Sequence, residues 1–273
     1  MINTLWHLSQ ASILGLVQGL TEFMPISSSG HLVIVRDLLK LDDQGIFFDA
    51  MLHLATLLAV LIYFWKDWVG MSGITQQSSS SKTVLTANRR LFGLILLATI
   101  PGLIVGYLGD NWIESRLRFG WTIAVLMIGL GIAYLLFERL FKIVKSSKQL
   151  TSWSALSIGV AQCLAVVPGI SRSGVTMLGG MYAGLNREMA VKLSFLLVAP
   201  ITAVAGSYGL YKAITNQIID QDYLFLLTAF VVALISGLVV IHWLLKFFQR
   251  HSLRGFAYYL LIAGIGLLVY WLV

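Results

Sequence analysis

The chain has 273 residues, of which 58% are hydrophobic and only 11% charged, and its mean hydropathy is +0.85. A soluble domain carries about 25% charged residues, so an ordinary cytosolic globule is excluded, as are collagen-like, disordered, disulfide-scaffold and zinc-finger chains. The length provides for roughly six to eight membrane spans of about 20 residues each, and the net charge of +7 is assigned to Lys and Arg anchoring cytoplasmic loops rather than to nucleic acid.

The first apolar segment, 5–24, is interrupted by Met24-Pro25 and then by Ser27-Ser28-Ser29-Gly30. Broken helices are tolerated at membrane depth only where the loose backbone is buried in protein or lines a cavity, so this segment reads as a re-entrant helix–loop–helix hairpin over about 5–38. Continuous apolar runs at 46–65, 91–108 and 119–137 follow as spans. A second interrupted segment, 153–167, meets Pro168-Gly169 and Ser171-Arg172-Ser173-Gly174, giving a second hairpin over about 153–184. Runs at 190–210, 223–245 and 255–273 complete the set. The expected fold is an all-α polytopic membrane protein of about six transmembrane helices plus two re-entrant hairpins, in one integral membrane domain, 1–273. No cleavable signal peptide is expected, because the first residues lack a basic n-region. The single cysteine, Cys163, permits no internal disulfide.

The two hairpins repeat each other. At one constant offset, Gly15, Gln18 and Leu20 fall on Gly159, Gln162 and Leu164, and Ile26-Ser27-Ser28-Ser29-Gly30 falls on Ile170-Ser171-Arg172-Ser173-Gly174. Repeats of about 1–110 and 150–273 are expected, and matching Gly/Pro breaks in two halves point to a midplane site between them. Lys and Arg cluster in 66–90 (Lys66, Lys82, Arg89, Arg90), 139–148 (Arg139, Lys142, Lys145, Lys148) and 246–254 (Lys246, Arg250, Arg254), which should be cytoplasmic. The loops near 40–45, 109–118 and 213–222 should then face outward. Both termini lie outside, and the hairpins enter from opposite faces, as inverted repeats require. The Ser78–Ser81 run reads as a flexible loop.

Several residues are out of place in so apolar a chain. Glu22 lies deep in an apolar segment, where a charge costs roughly 3 kcal/mol and usually marks function, and Gln18 at i−4 shares its helix face. The pair reads either as polar glue between helices or as a metal ligand or general base. His31 follows Ser28 by three residues, so both project from the first turn of a helix starting near Ser27. Imidazole can take a serine proton or attack phosphorus itself, whereas the plainer reading of the serines is a helix cap. Arg172 offers a planar fork of donors that matches phosphate oxygens, at a helix start whose N–H groups and dipole favour anions. Ser171, Ser173 and Thr176 add hydroxyls, and Gly174 permits close approach. The competing reading pairs Arg172 with Glu22, which still brings the hairpins together. Asp49, with His53 at i+4, is either a second carboxylate for a metal or an ordinary interfacial residue. Arg187, Glu188 and Lys192 read as a solvated helix start, and Trp65, Trp112 and Trp243 as part of an aromatic belt.

At these residues the sequence resembles a known family. The stretch from Gln18 through Glu22, Pro25 and Ser27-Ser28-Ser29-Gly30 to His31 is similar to the first signature of the BacA-type (UppP) undecaprenyl-diphosphate phosphatases. Pro168-Gly169-Ile170-Ser171-Arg172-Ser173-Gly174-Val175-Thr176 is similar to their second. The resemblance implies an enzyme of the bacterial inner membrane that removes the terminal phosphate of undecaprenyl diphosphate. The product, undecaprenyl phosphate, carries peptidoglycan and other envelope glycans. It also implies a site open to the periplasmic face, dependence on a divalent metal ion (Mg or Ca), and bacitracin resistance on overproduction.

On this resemblance Glu22, Ser28, His31 and Arg172 are the catalytic candidates. Ser27, Ser29, Ser171, Ser173, Thr176 and Gly174 are the substrate-binding ones; for a metal, Glu22 is the candidate ligand with Gln18 or, from its own position rather than the resemblance, Asp49 beside it. Gln18 stands where many members have glutamate, which argues against a proton-carrying role here. The expected chemistry has Arg172 hold the terminal phosphate while Ser28, deprotonated by His31, attacks; the rival makes His31 the nucleophile or the activator of water. The expected partner is the lipid substrate, with a homodimer open and no nucleic acid. A secondary transporter or flippase for an anionic lipid or solute is the alternative from another class, since inverted repeats with broken helices also build carriers.

Overall fold

The structure, a computed structural model, describes residues 2–41, 43–72, 89–117, 119–141, 149–216 and 222–272. The Ser78–Ser81 run, and with it Lys82, Lys142, Lys145 and Lys148 of the expected cytoplasmic loops, lie outside the described residues. Among the described residues the chain is helical throughout. The helices are α1 (Ile2–Thr21), α2 (Ser28–Leu38), α3 (Gly45–Tyr63), α4 (Trp65–Ser72), α5 (Arg89–Leu117), α6 (Gly120–Leu140), α7 (Ser152–Cys163) with a 3₁₀ turn at Leu164–Val166, α8 (Arg172–Tyr182), α9 (Arg187–Thr215), α10 (Tyr223–Phe247) and α11 (Arg254–Leu272). Six of them, within α3, α5, α6, α9, α10 and α11, are long and apolar enough to cross a membrane. They fall on the six expected runs, and the chain is a multi-pass helical membrane protein.

The helix boundaries have local causes. Ser27, Thr151, Ser171, Asn186 and Asp222 cap α2, α7, α8, α9 and α10, their side-chain oxygens accepting from backbone N–H groups of the first turn. The breaks after α1 and α7 fall at Pro25 and at Pro168-Gly169, and Gly169 has φ +98, the left-handed region that glycine occupies without penalty. Pro101 and Pro200 sit inside α5 and α9 without ending them, and both helices extend past the apolar runs at 91–108 and 190–210, to Leu117 and Thr215. Arg187 and Lys192 are more than a solvated start. They tie α9 to α6 and α4 through Glu138 (Nη2–Oε1 3.0 Å) and Asp67 (Nζ–Oδ1 2.6 Å).

α9 is the central post. Leu193, Ser194, Phe195, Leu196, Leu197 and Val198 are all buried, and α3, α5, α8 and α10 pack around it. The broken helices lie against long neighbours in a paired way: α1 packs on α10, as α7 packs on α5. Both crossings are set by a glycine at the same place in the repeat. A Cβ on Gly15 would collide with the Ala229 carbonyl of α10, and one on Gly159 with the Ala98 carbonyl of α5. Small residues let helix backbones approach where lipid provides no hydrophobic drive. The first break docks on the post through Phe23, fully buried and edge-on to Phe195 at 5.5 Å.

Substitution at these crossings has a definite sign. Gly15→Ala is expected to lower stability by about 1–3 kcal/mol, the usual cost of overpacking. Gly129→Ala, in α6, meets open space and is expected to be neutral or to stabilise by up to about 1 kcal/mol. Thermal unfolding of the two variants in detergent checks the difference.

Candidate active site

The α1 hydrogen-bond pattern continues one residue past the helix, Glu22 N–H donating to the Gln18 carbonyl at 2.9 Å. Gln18 and Glu22 therefore point the same way, and both are buried. Across the gap, α8 opens at Arg172. Its Nη2 forms an ion pair with Glu22 Oε1, which joins the two breaks. Glu22 Oε2 accepts from Ser28 Oγ at 2.5 Å and from Gln18 Nε2 at 3.1 Å. His53, on α3, completes the cluster: its Nδ1 lies 3.1 Å from Gln18 Nε2 and 3.6 Å from Glu22 Oε2.

Two groups in this cluster are incomplete. Arg172 Nη1 and Gln18 Oε1 are buried and meet no hydrogen-bonding partner among the described residues. A buried donor or acceptor left unmade costs about 1–3 kcal/mol, so a ligand that supplies an oxygen to the one and a cation to the other is favoured. Both α2 and α8 begin at this cluster, their first residues Ser28 and Arg172 each bonding Glu22, and a helix start carries N–H groups that no helix can satisfy internally and a dipole end that favours an anion.

The expected roles of several residues change with this geometry. The Ser28–His31 couple is not formed, because Ser28 donates to Glu22 instead. His31 Nδ1 lies 2.7 Å from the Ser27 carbonyl and its Nε2 lies 2.6 Å from Tyr259 Oη, so both ring nitrogens are engaged away from Ser28. The hydroxyls of Ser171 and Ser173 donate to the Met24 carbonyl at 3.4 and 2.9 Å. Thr176 Oγ1 donates to the Arg172 carbonyl at 2.8 Å and meets Ser194 Oγ at 2.8 Å. These three stitch one break to the other and to α9 rather than lining open space. Gly174 makes room for protein, not for an anion: a Cβ there would overlap the hydroxyl of Tyr134, which donates to the Pro25 carbonyl at 3.0 Å. Ser27 caps α2 from a strained backbone, φ +73, while Ser29, unlike Ser27, Ser28, Ser171 and Ser173, is exposed.

Asp49 is drawn away from the cluster. Arg36, on α2, is buried and takes both of its carboxylate oxygens. Among the described residues no group of three His, Cys, Asp or Glu side chains is placed to hold a metal. What remains is the Glu22 carboxylate and the orphaned Gln18 Oε1. Two oxygen donors suit a hard divalent ion of the magnesium type, which keeps water and substrate phosphate for its other positions.

Three contributors were not singled out from the sequence for this site: His53 as a neighbour of Glu22, Tyr134 and Tyr259. The i, i+4 pairing of Asp49 with His53 was the only signal, and it pointed to the wrong member.

Fold and site together define a class: a polytopic helical membrane protein with a buried, ion-paired polar cluster where two broken helices meet. Within that class the chain belongs to the bacitracin resistance protein BacA family, whose model matches residues 11–266. It is 38% identical over 256 residues to an undecaprenyl-diphosphatase of Rubrobacter xylanophilus, covering 93% of this chain and 94% of that one. It is 39% identical over 262 residues to the undecaprenyl-diphosphatase of Aliivibrio salmonicida, covering 96% and 97%. It is 36% identical over 272 residues to that of Methylobacillus flagellatus, covering 97% and 98%.

Asp49→Asn separates a structural from a ligating role. It removes the carboxylate that takes both terminal nitrogens of Arg36, leaving Asp43 at 3.8 Å as its anion, and is expected to lower stability by about 1–3 kcal/mol. Any stabilisation by added magnesium is expected to be the same as in the unaltered protein, and its loss in Asp49→Asn would restore Asp49 as a ligand candidate. Metal titration alongside thermal unfolding reads both.

Proposed function

We propose that this chain hydrolyses undecaprenyl diphosphate to undecaprenyl phosphate and inorganic phosphate at the junction of the two breaks. One observation carries the reading: a serine hydroxyl on a buried carboxylate, 2.5 Å apart, beside an arginine whose Nη1 is buried and unpartnered. Phosphoryl transfer needs positioning and charge neutralisation above all. Arg172 Nη1 and the free N–H groups of α2 and α8 bind the terminal phosphate. Glu22 Oε2 takes the Ser28 proton as Oγ attacks the terminal phosphorus. The Ser28–phosphorus bond forms, the bridging P–O bond breaks, and undecaprenyl phosphate leaves with the electron pair. Water then attacks the phosphoserine, and Ser28 regains a proton as phosphate departs. A divalent ion, Mg or Ca, would be held by Glu22 and Gln18 Oε1 and supply Lewis-acid neutralisation of the phosphate charge.

The wider arrangement belongs to the same reading. The two broken helices are re-entrant hairpins of an inverted repeat, and the site opens to the outer face of the bacterial inner membrane. The Lys- and Arg-rich segments between spans support this orientation. Hydrolysis is preferred to transport because a carrier has no use for a hydroxyl seated on a base, and the three relatives carry a hydrolase name.

The test is phosphate release by detergent-purified protein, where no gradient exists. Arg172→Ala is expected to lose about 10²–10³-fold in kcat, as when one transition-state donor is removed, and Glu22→Gln about 10²–10⁴-fold, as when a general base is lost. Chelation of divalent ions should stop turnover. Acid quenching during turnover should trap phosphoserine at Ser28; phosphohistidine would transfer the nucleophile to His31. A folded Arg172→Ala protein with normal turnover would remove the phosphate clamp.

A further inference from the structure

Tyr259 lies on α11, 228 residues from the histidine it meets. α11 is the last helix and packs on α6. Its footing is firm: Ala257 and Leu260 are fully buried, and Gly131 and Gly264 bring the two backbones so close that a Cβ on either would crowd the opposite helix. Tyr259 leaves this seam and is 43% exposed, and its hydroxyl meets His31 Nε2 at 2.6 Å. The rings lie nearly parallel, 15° apart with centroids at 5.7 Å.

The proton count at His31 is determined by its partners. The Ser27 carbonyl has no proton to give, so Nδ1 carries the hydrogen. In the neutral ring the lone pair then sits on Nε2, and the phenol donates to it. The other nitrogen's hydrogen bond sets the tautomer, so Tyr259 and Ser27 together hold one form of the ring. The carbonyl grasped by Nδ1 belongs to Ser27, whose backbone is at φ +73 and which directly precedes Ser28. The residue that strains the turn is thus held by the imidazole, and the residue that follows points its hydroxyl at Glu22.

We infer that Tyr259 is a positioning residue for the reaction: it fixes His31 in the Nδ1–H tautomer, and His31 in turn braces the Ser27 peptide that aims Ser28 at Glu22. The inference rests on the reading of Ser28 and Glu22 given above. His31 acts as a brace in this scheme, and Tyr259 acts only through it. The chain of contacts runs from a helix packed on α6, through one phenol and one imidazole, to the turn that carries the nucleophile.

Tyr259→Phe removes the hydroxyl and keeps the ring. In purified protein it is expected to lower kcat about 10- to 100-fold, the scale of a small misplacement of reacting groups, with KM changed less than threefold. Tyr258→Phe, one residue away and 55% exposed, is expected to leave both constants unchanged. In a His31→Ala background, Tyr259→Phe should add no further loss, since residues acting through one another are not additive. ¹⁵N NMR of histidine-labelled protein, with His31 assigned from the His31→Ala spectrum, should show a neutral Nδ1–H ring whose Nε2 signal moves in Tyr259→Phe.

Normal kcat in a folded Tyr259→Phe protein, an equal further loss in the His31→Ala background, or an unmoved Nε2 signal would each overturn the inference. Its failure is distinct from that of the hydrolase reading. The NMR result needs no turnover, whereas Arg172→Ala and Glu22→Gln test the chemistry without touching Tyr259.

Discussion

The ion pair between Glu22 and Arg172 is the contact on which the rest of the site depends. Each residue alone is a charge in an apolar setting, and removing one partner of a buried pair typically costs about 3–5 kcal/mol. Pairing them fixes the distance between two helix breaks that are 150 residues apart in sequence. Once that distance is fixed, Ser28 falls on the carboxylate and Ser171 and Ser173 reach the Met24 carbonyl. The pair is also incomplete by construction. Glu22 has two oxygens and Arg172 has two terminal nitrogens, and only one nitrogen is occupied. The arrangement holds together before substrate arrives and still has a donor to offer.

Broken helices in an apolar medium create a second constraint, because carbonyls freed by a break must find donors. The first break meets it with side chains from elsewhere. Ser171 and Ser173 serve Met24, and Tyr134 serves Pro25. This accounts for the density of hydroxyls in the second signature. A serine beside an arginine at a helix start looks like phosphate recognition from the sequence, yet here it satisfies backbone. The same demand accounts for Gly174, which makes way for Tyr134. The glycine needed at an anion site and the glycine needed at a tight protein contact are indistinguishable in one dimension.

Legibility followed range of contact. Gln18 with Glu22, and Arg172 with Pro168-Gly169, were readable because charge in an apolar run and a break are local facts. The six spans are readable for the same reason, and α5 and α9 run past the apolar stretches that mark them. What could not be read was which of two nearby partners Ser28 would choose. His31 is three residues away and Glu22 six, and the choice is made by the turn at Ser27 and by a phenol from the last helix. Tyr259 sits in a run of aromatic and apolar residues with no mark of its own, and Tyr134 is one more apolar-looking residue of a span. His53 was noticed as the companion of Asp49, but Arg36 claims Asp49, and nothing near residue 49 announces that.

The two halves also show why a repeat yields one site and not two. At the offset that aligns Gly15 with Gly159, Glu22 falls on Val166, Ser28 on Arg172 and His31 on Val175. The caps are retained, Ser27 and Ser171 each closing on the glycine three residues on, and so are the glycine crossings with α10 and α5. The caps and the crossings correspond while the chemistry is divided between the two segments. One half keeps the carboxylate and the hydroxyl, and the other replaces the hydroxyl by a guanidinium and the rest by valine. Two carboxylates facing each other at this junction would repel, and two arginines likewise. Opposite charges on equivalent turns instead attract, so the asymmetry that makes a reaction centre is also what makes the two breaks adhere.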